Sequence, residues 1–264
     1  MIGKKKIVCV IPARLHSVRF PKKLLALLSG KPLIQWAWEG AMSIPFFDEV
    51  VIAVDSEELA FAVEGFGGKY HRTSVECQNG TARLVELQQR GLLEGDIWVN
   101  WQGDEPFLSK QVLIDLLQSC EEEQTDVWTL KERIFEKEKI QDPTICKVVC
   151  DAQGRALYFS RSPIPYARNY LGEVPFFRHI GLYAYSSLAI KKISSMPACP
   201  LELAESLEQL RFLFHGLKIQ VHETKETTIG IDLQEHLILA EEHLRNLGKL
   251  KKIKGILMEG VLQS

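Results

Sequence analysis

Residues 5–23 read KKIVCVIPARLHSVRFPKK, and this stretch decides the fold. Ile7-Val8-Cys9-Val10-Ile11 is continuous, apolar and rich in β-branched residues, the pattern of a strand buried on both faces in a parallel sheet. Pro12 is expected to end that strand. Arg14, Arg19, Lys22 and Lys23 follow at its carboxyl end, which is where open α/β sheets bind ligands. One basic residue there would read as a solvated loop, but four within ten positions, beside Pro12, Ser17 and Pro21, point to a grip on phosphate. It is not a Walker loop, because neither GxxxxGK followed by Ser or Thr nor GxGxxG occurs.

Working outward, strand-like runs alternate with helical patterns. A helix near 32–42 is followed by a strand at Val50–Val54, helices near 57–64 and 81–89, and a strand at Ile97–Trp101. A helix near 109–118 and a strand at Val127–Leu130 complete a βαβ rhythm, so the first half reads as one doubly wound sheet. The charged stretch Lys131–Lys139 reads as solvated surface. Beyond it come short strands at Cys146–Cys150, Ala156–Phe159 and Ile180–Tyr185, a turn at Asp151–Gly154, and helices near 203–215 and 233–247. There is no internal repeat or linker, and the expected organisation is one domain over 1–247 with a C-terminal tail at 248–264.

The chain has 264 residues, 46% of them hydrophobic and 25% charged, the composition of a globular protein with a full core. A formal charge of −2 supplies no global field for nucleic acid or an anionic membrane, so any polyanion site is local. No apolar run approaches the roughly 20 residues that span a bilayer. The basic start precedes only five apolar residues without a cleavage site, so it reads as a strand rather than a signal peptide, and a cytoplasmic location is expected. Six cysteines without a CxxC pair suit reduced thiols there, and Cys146 and Cys150 read as core packing.

A second chemical cluster lies in Gln102-Gly103-Asp104-Glu105-Pro106, an acidic pair following the strand Ile97–Trp101. Hard carboxylate oxygens at a strand end beside a phosphate loop suit Mg²⁺, with Asp104 as the leading ligand. Asp232, at the end of the apolar run Thr228–Ile231, is either a second ligand or a helix N-cap. Basic and acidic loops together argue for phosphoryl or nucleotidyl transfer.

Seven segments, taken together, resemble the 3-deoxy-manno-octulosonate (KDO) cytidylyltransferase family, in family order. They are IPARLHSVRFPKKLL (11–25), NGTAR (79–83), NWQGDEP (100–106), ALYFSRSPIP (156–165), RHIGLYAY (178–185), LELAESLEQLR (201–211) and GID (230–232). The resemblance implies an α/β nucleotidyltransferase-type three-layer fold with a mixed, mainly parallel sheet. It implies transfer of CMP from CTP to the anomeric hydroxyl of KDO, giving CMP-KDO and pyrophosphate for lipopolysaccharide biosynthesis. Catalytic roles would fall to Lys23, Arg14 and Asp104, and nucleotide contacts to Arg14, Arg19, Lys23, Asn79, Gly80, Thr81 and Arg83. The sugar acid would meet Gln102, Arg161, His179, Tyr183, Glu208 and Gln209, and Mg²⁺ would be held by Asp104 and Asp232. A homodimer with contacts around 155–200 is also implied. Without the resemblance, His179 and Tyr183 would read as core, and Glu208 with Arg211 as a helix-face pair. No residue is singled out as a general base.

Four departures from the family pattern, the first being Ala53-Val54-Asp55 where the family has ATD, keep a different acidic sugar, or a catalytically weak binding homologue, in view. Lys22 stands where the family has a glycine, which matters if that residue takes a positive φ. Ala82 replaces an acid before Arg83, removing its expected partner. The metal-side aspartate is followed by Leu233-Gln234-Glu235-His236-Leu237, in place of the family's usual flank.

Overall fold

A computed structural model describes residues 4–168, 174–226, 228 and 230–246. The expected C-terminal tail and Leu247 lie outside the described residues. Strand β1 (Ile7–Ala13) is central, pairing in parallel with β4 (Glu49–Val54) and β6 (Ile97–Asn100). Its side chains alternate between two cores: Ile7, Cys9 and Ile11 pack with α1 (Leu33–Met42), α2 (Glu57–Gly65) and α4 (Lys110–Leu117). Val8 and Val10 face α3 (Gly80–Gln89), α6 (Ser187–Ile193) and α8 (Gln209–Phe214) on the other side. Helix, sheet and helix thus form three layers, and the both-face burial expected of β1 follows from them.

Among the described residues the sheet has nine strands, ordered β11 (Ile219–Glu223), β7 (Val127–Ile134), β10 (Phe176–Ser186), β6, β1, β4 and β5 (Tyr70–Arg72). Strands β8 (Lys147–Cys150) and β9 (Ala156–Ser160) form a hairpin that joins through β10. Within the seven-strand path only β10 is antiparallel to its neighbours, so the sheet is mixed and mainly parallel as expected. A short hairpin, β2 (Leu27–Leu28) with β3 (Lys31–Pro32), follows the basic loop, and α5 (Lys137–Gln141) and α7 (Pro200–Glu205) are short surface helices.

Four expectations change. Pro12 does not end β1, which continues to Ala13. The Val10 carbonyl accepts from Trp101 N on the β6 side, and Pro12 faces that side two residues on, where β6 has stopped at Asn100. Its missing N–H therefore costs no ladder bond. Lys131–Ile134 belongs to β7 rather than to solvated surface, and its charges are matched across the strands, Glu132 to Arg178 and Lys131 over the Phe177 ring at 4.2 Å. The helix expected near 203–215 is split into α7 and α8 by Ser206 at φ 53°. The helix expected near 233–247 begins only at residue 236. Cys146 and Cys150 do pack against the second core, as expected.

Lys147 fixes the β8–β9 corner. Its side chain is fully buried and its ammonium donates to the carbonyls of Asp142 (2.8 Å), Ile145 (2.8 Å) and Arg161 (2.6 Å). Three protons meet three acceptors, and burial pulls the ammonium pKa below its usual value. Lys147→Met takes a charged donor from three carbonyls, of which that of Asp142 keeps Ile145 N at 3.2 Å, so urea denaturation is expected to report a loss of about 2 kcal/mol or more; an unchanged midpoint contradicts the geometry.

Candidate active site

The loop after β1 and the loop after β6 meet at the carboxyl ends of their strands. Lys23 opens a 3₁₀ turn (Lys23–Leu25), and its ammonium bonds the Asp104 carboxylate directly and Asp232 Oδ1 at 3.1 Å. Arg19 reaches the same Asp232 oxygen at 3.0 Å. Asp232 is carried there by the segment before the 236–246 helix: Ile231 N donates to Asp104 O at 2.9 Å, and Ile231 packs with Leu28, Leu33 and Ala240. Its carboxylate is spent on these cations, and its own N–H donates to His236 Nδ1 at 3.1 Å. Asp232 is therefore a member of the charge cluster rather than a side-chain N-cap.

An open cleft of about 260 Å³ lies over this cluster, bounded by Arg14, Lys23, Asn79, Gly80, Gln102 and Asp104. Arg14 is exposed and has no ion-pair partner among the described residues. Gly103 admits the close approach of the second loop, since a Cβ there would lie 3.2 Å from Pro12 O and 3.1 Å from Leu24 Cδ2. Glu105, next to Asp104, is pushed up to about 7, chiefly by burial and then by the Asp104 charge, with Arg178 opposing.

Asn79 caps α3, accepting from Ala82 N at 2.9 Å, while its amide donates to Glu208 Oε1 at 2.9 Å. Thr81 donates to Glu208 Oε2 at 2.8 Å, and Arg211 to Oε1 at 2.8 Å. Burial raises the Glu208 pKa and these three donors oppose the rise. Thr81 Oγ1 also lies 3.1 Å from the Tyr185 hydroxyl, so the expected nucleotide segment and the expected sugar-side helix share one network.

Of the residues expected to meet the sugar acid, the His179 and Tyr183 rings lie 5.4 Å apart on β10, between Phe159 and Tyr185. Burial lowers His179 to about 3 and raises Tyr183 well above its ordinary value. Gln102 donates to Asn100 Oδ1 at 3.1 Å, and the buried Gln209 amide reaches Cys146 Sγ at 3.6 Å. Arg161 turns its guanidinium onto the carbonyls of Glu205 (2.7 Å), Pro143 (3.1 Å) and Ser206 (3.4 Å), tying the β9 end to the α7–α8 break.

The departures have structural counterparts. Lys22 occupies φ 53°, ψ 32°, the left-handed region that a glycine adopts freely, and its ammonium pairs with Glu58 at 2.6 Å. Arg83 finds its acid on another element: its guanidinium, 3% exposed, bonds Asp55 Oδ2 at 2.8 Å, Thr73 Oγ1 at 2.7 Å and Ser74 O at 3.1 Å. Asp55 Oδ1 meanwhile accepts from Leu15 N at 2.9 Å, so this pair braces the basic loop. Asp55 directly follows β4 as Asp104 follows β6, and that shared strand-end position was the available sequence signal. Cys77 and Gln78, which also line the cleft, carried none.

A mainly parallel sheet with cations and two carboxylates at adjoining strand ends defines a nucleotidyltransferase-type α/β protein. Residues 8–219 match the family described as Cytidylyltransferase. The 3-deoxy-manno-octulosonate cytidylyltransferase of Thermodesulfovibrio yellowstonii is 42% identical over 248 residues, covering 90% of this chain and 97% of its own. That of Acaryochloris marina is 41% identical over 237 residues, covering 89% and 96%. The structure of CMP:2-keto-3-deoxy-manno-octonic acid synthetase complexed with CTP superposes with a TM-score of 0.86 at 38% identity, covering 91% of this chain and 99% of that one. The chain belongs to the cytidylyltransferase family, in its 3-deoxy-manno-octulosonate branch.

Asp55→Asn leaves the Arg83 charge buried and half-partnered, so the expected cost is about 3–5 kcal/mol, read from urea unfolding. A loss below about 1 kcal/mol contradicts a bracing role for the pair.

Proposed function

We propose that this chain transfers CMP from CTP to the anomeric hydroxyl of KDO, releasing pyrophosphate. The observation that carries this reading is the convergence of Lys23, Arg19, Asp104 and Asp232 at the ends of β1 and β6, in a chain whose relatives at about 40% identity bear the name 3-deoxy-manno-octulosonate cytidylyltransferase. A catalytically weak homologue is disfavoured because this charged constellation is complete. Another acidic sugar is disfavoured by those same names.

Arg14 and Lys23 would hold triphosphate oxygens, positioning the α-phosphorus and stabilising charge on the departing pyrophosphate. The amino end of α3 at Gly80 would present backbone N–H groups to the nucleotide. Gln102, His179, Tyr183, Glu208 and Gln209 would orient the sugar acid by hydrogen bonds, with Arg161 holding the loop behind them. The residues fit Mg²⁺: Asp104 and Asp232 already share one cation, the Lys23 ammonium, and two protein carboxylates are what Mg²⁺ takes when phosphates supply the rest. Bound there, the metal would neutralise developing charge on the phosphate oxygens. Lys23, exchanged from the carboxylates, would then be free to meet the triphosphate. The sugar hydroxyl attacks the α-phosphorus, the bond to the bridging oxygen breaks, and the hydroxyl proton passes to solvent without a dedicated base.

Among the described residues no helix is long and apolar enough to cross a membrane. A cytoplasmic location and a homodimer through the 155–200 region complete the proposal; the exposed Leu157 (61%) and Tyr166 (88%) on that region support the second.

Purified protein is expected to release pyrophosphate only when CTP, KDO and Mg²⁺ are all present, and not with UTP, ATP or GTP. Asp104→Asn and Asp232→Asn are each expected to lower kcat at least about 100-fold. Release without KDO, or folded wild-type protein silent with all three components, refutes the proposal.

A further inference from the structure

Strand β10 does not keep one register against β7. His179 and Ile180 stand opposite Lys131 and Leu130, and pairing resumes with Tyr183 opposite Thr129. Gly181 and Leu182 are thus two extra residues on β10, a bulge that preserves alternation and keeps His179 and Tyr183 on one face. Thr129 lies at this irregularity and is fully buried. Its Oγ1 is 3.0 Å from Ile180 O, 2.9 Å from Leu182 O and 2.9 Å from His179 Nε2.

A hydroxyl has one proton to give, and carbonyl oxygens only accept. If Thr129 gave its proton to His179, two carbonyl oxygens would face the hydroxyl lone pairs at contact distance with no hydrogen between them. The arrangement is favourable only when the proton goes to the carbonyls and the hydroxyl oxygen accepts from Nε2–H. Nδ1 is then the unprotonated nitrogen. It has no hydrogen-bond partner among the described residues, and it is not among the unpartnered polar atoms sealed from solvent. The lowered pKa of His179, set by burial, keeps the ring neutral through the physiological range, consistent with a single N–H.

We propose that Thr129 is a positioning residue: its buried hydroxyl fixes His179 as the Nε2–H tautomer and so presents Nδ1 as an acceptor for a hydroxyl of the sugar substrate. The substrate half of this statement rests on the sugar-side role given to His179 above; the tautomer does not. An acceptor without a proton favours a ligand that donates at that point, so the Thr129 hydroxyl contributes to sugar selectivity without touching the sugar.

The test combines ¹⁵N NMR of histidine-labelled full-length protein, free of substrates, with steady-state kinetics on the wild type, Thr129→Val and Thr129→Ser. The wild type and Thr129→Ser are expected to show the Nε2–H tautomer at His179. Thr129→Val, which keeps the shape and removes the hydroxyl, is expected to lose that tautomer. Its KM for KDO should rise about tenfold, the loss of roughly one hydrogen bond, with KM for CTP unchanged within about twofold. An Nδ1–H tautomer in the wild type overturns the proposal, as does a Thr129→Val protein that keeps the wild-type tautomer. Should Thr129→Val fail to fold, a Thr129→Ser protein lacking the tautomer overturns it equally. Expected tautomers with an unchanged KM for KDO overturn the substrate half, and expected tautomers with no wild-type turnover overturn the reaction on which that half rests.

Discussion

One ammonium between two carboxylates organises this molecule. Lys23 meets Asp104 and Asp232, residues 81 and 209 positions away in the chain, at the point where the ends of β1 and β6 lie side by side. Left alone, Asp104 and Asp232 would repel each other in a partly screened site, and Lys23 removes that cost before any substrate arrives. The same contacts hold a cationic loop over an acidic one, which is the electrostatic pattern that a nucleoside triphosphate and a divalent cation complement.

The framework around the cluster consists of buried ionic and polar joints rather than apolar packing alone. Arg83 and Asp55 tie α3 to β4 and, through Leu15 N, to the basic loop. Glu208 joins Asn79 and Thr81 to Arg211, linking the start of α3 to α8. Lys147 and Arg161 cap carbonyls at the corner between β8, β9 and the α7–α8 break. The Asp55 and Glu208 joints connect elements far apart in sequence, so the two sides of the cleft are fixed against each other.

Much of this was legible in the sequence, for reasons visible in particular residues. The β1 run announced its burial because both of its faces are covered. Asp104 and Asp232 were legible because each lies just past an apolar run, and Lys23 because it is one of four basic residues within ten positions of the loop after β1. Lys131–Ile134 misled because its charges are paired across the sheet, which gives a strand the composition of a surface. Ser206 ends α7 in a left-handed conformation without a glycine to mark it. The strand-end position of Asp55 was visible in the sequence but its pairing with Arg83 was not, and the carbonyl cages of Lys147 and Arg161 depend on tertiary placement and leave no local pattern. Thr129 is an ordinary strand residue in sequence; only the β10 irregularity gives its hydroxyl a task.

The proposal that Asp104 and Asp232 together hold a divalent cation is tested most directly by Mn²⁺ binding followed by electron paramagnetic resonance in the presence of CTP. Wild-type protein should bind Mn²⁺, with the affinity reduced at least about tenfold in both Asp104→Asn and Asp232→Asn, as expected when a hard cation loses one of two protein carboxylates. Equal Mn²⁺ affinity in the wild type and both variants would contradict the account.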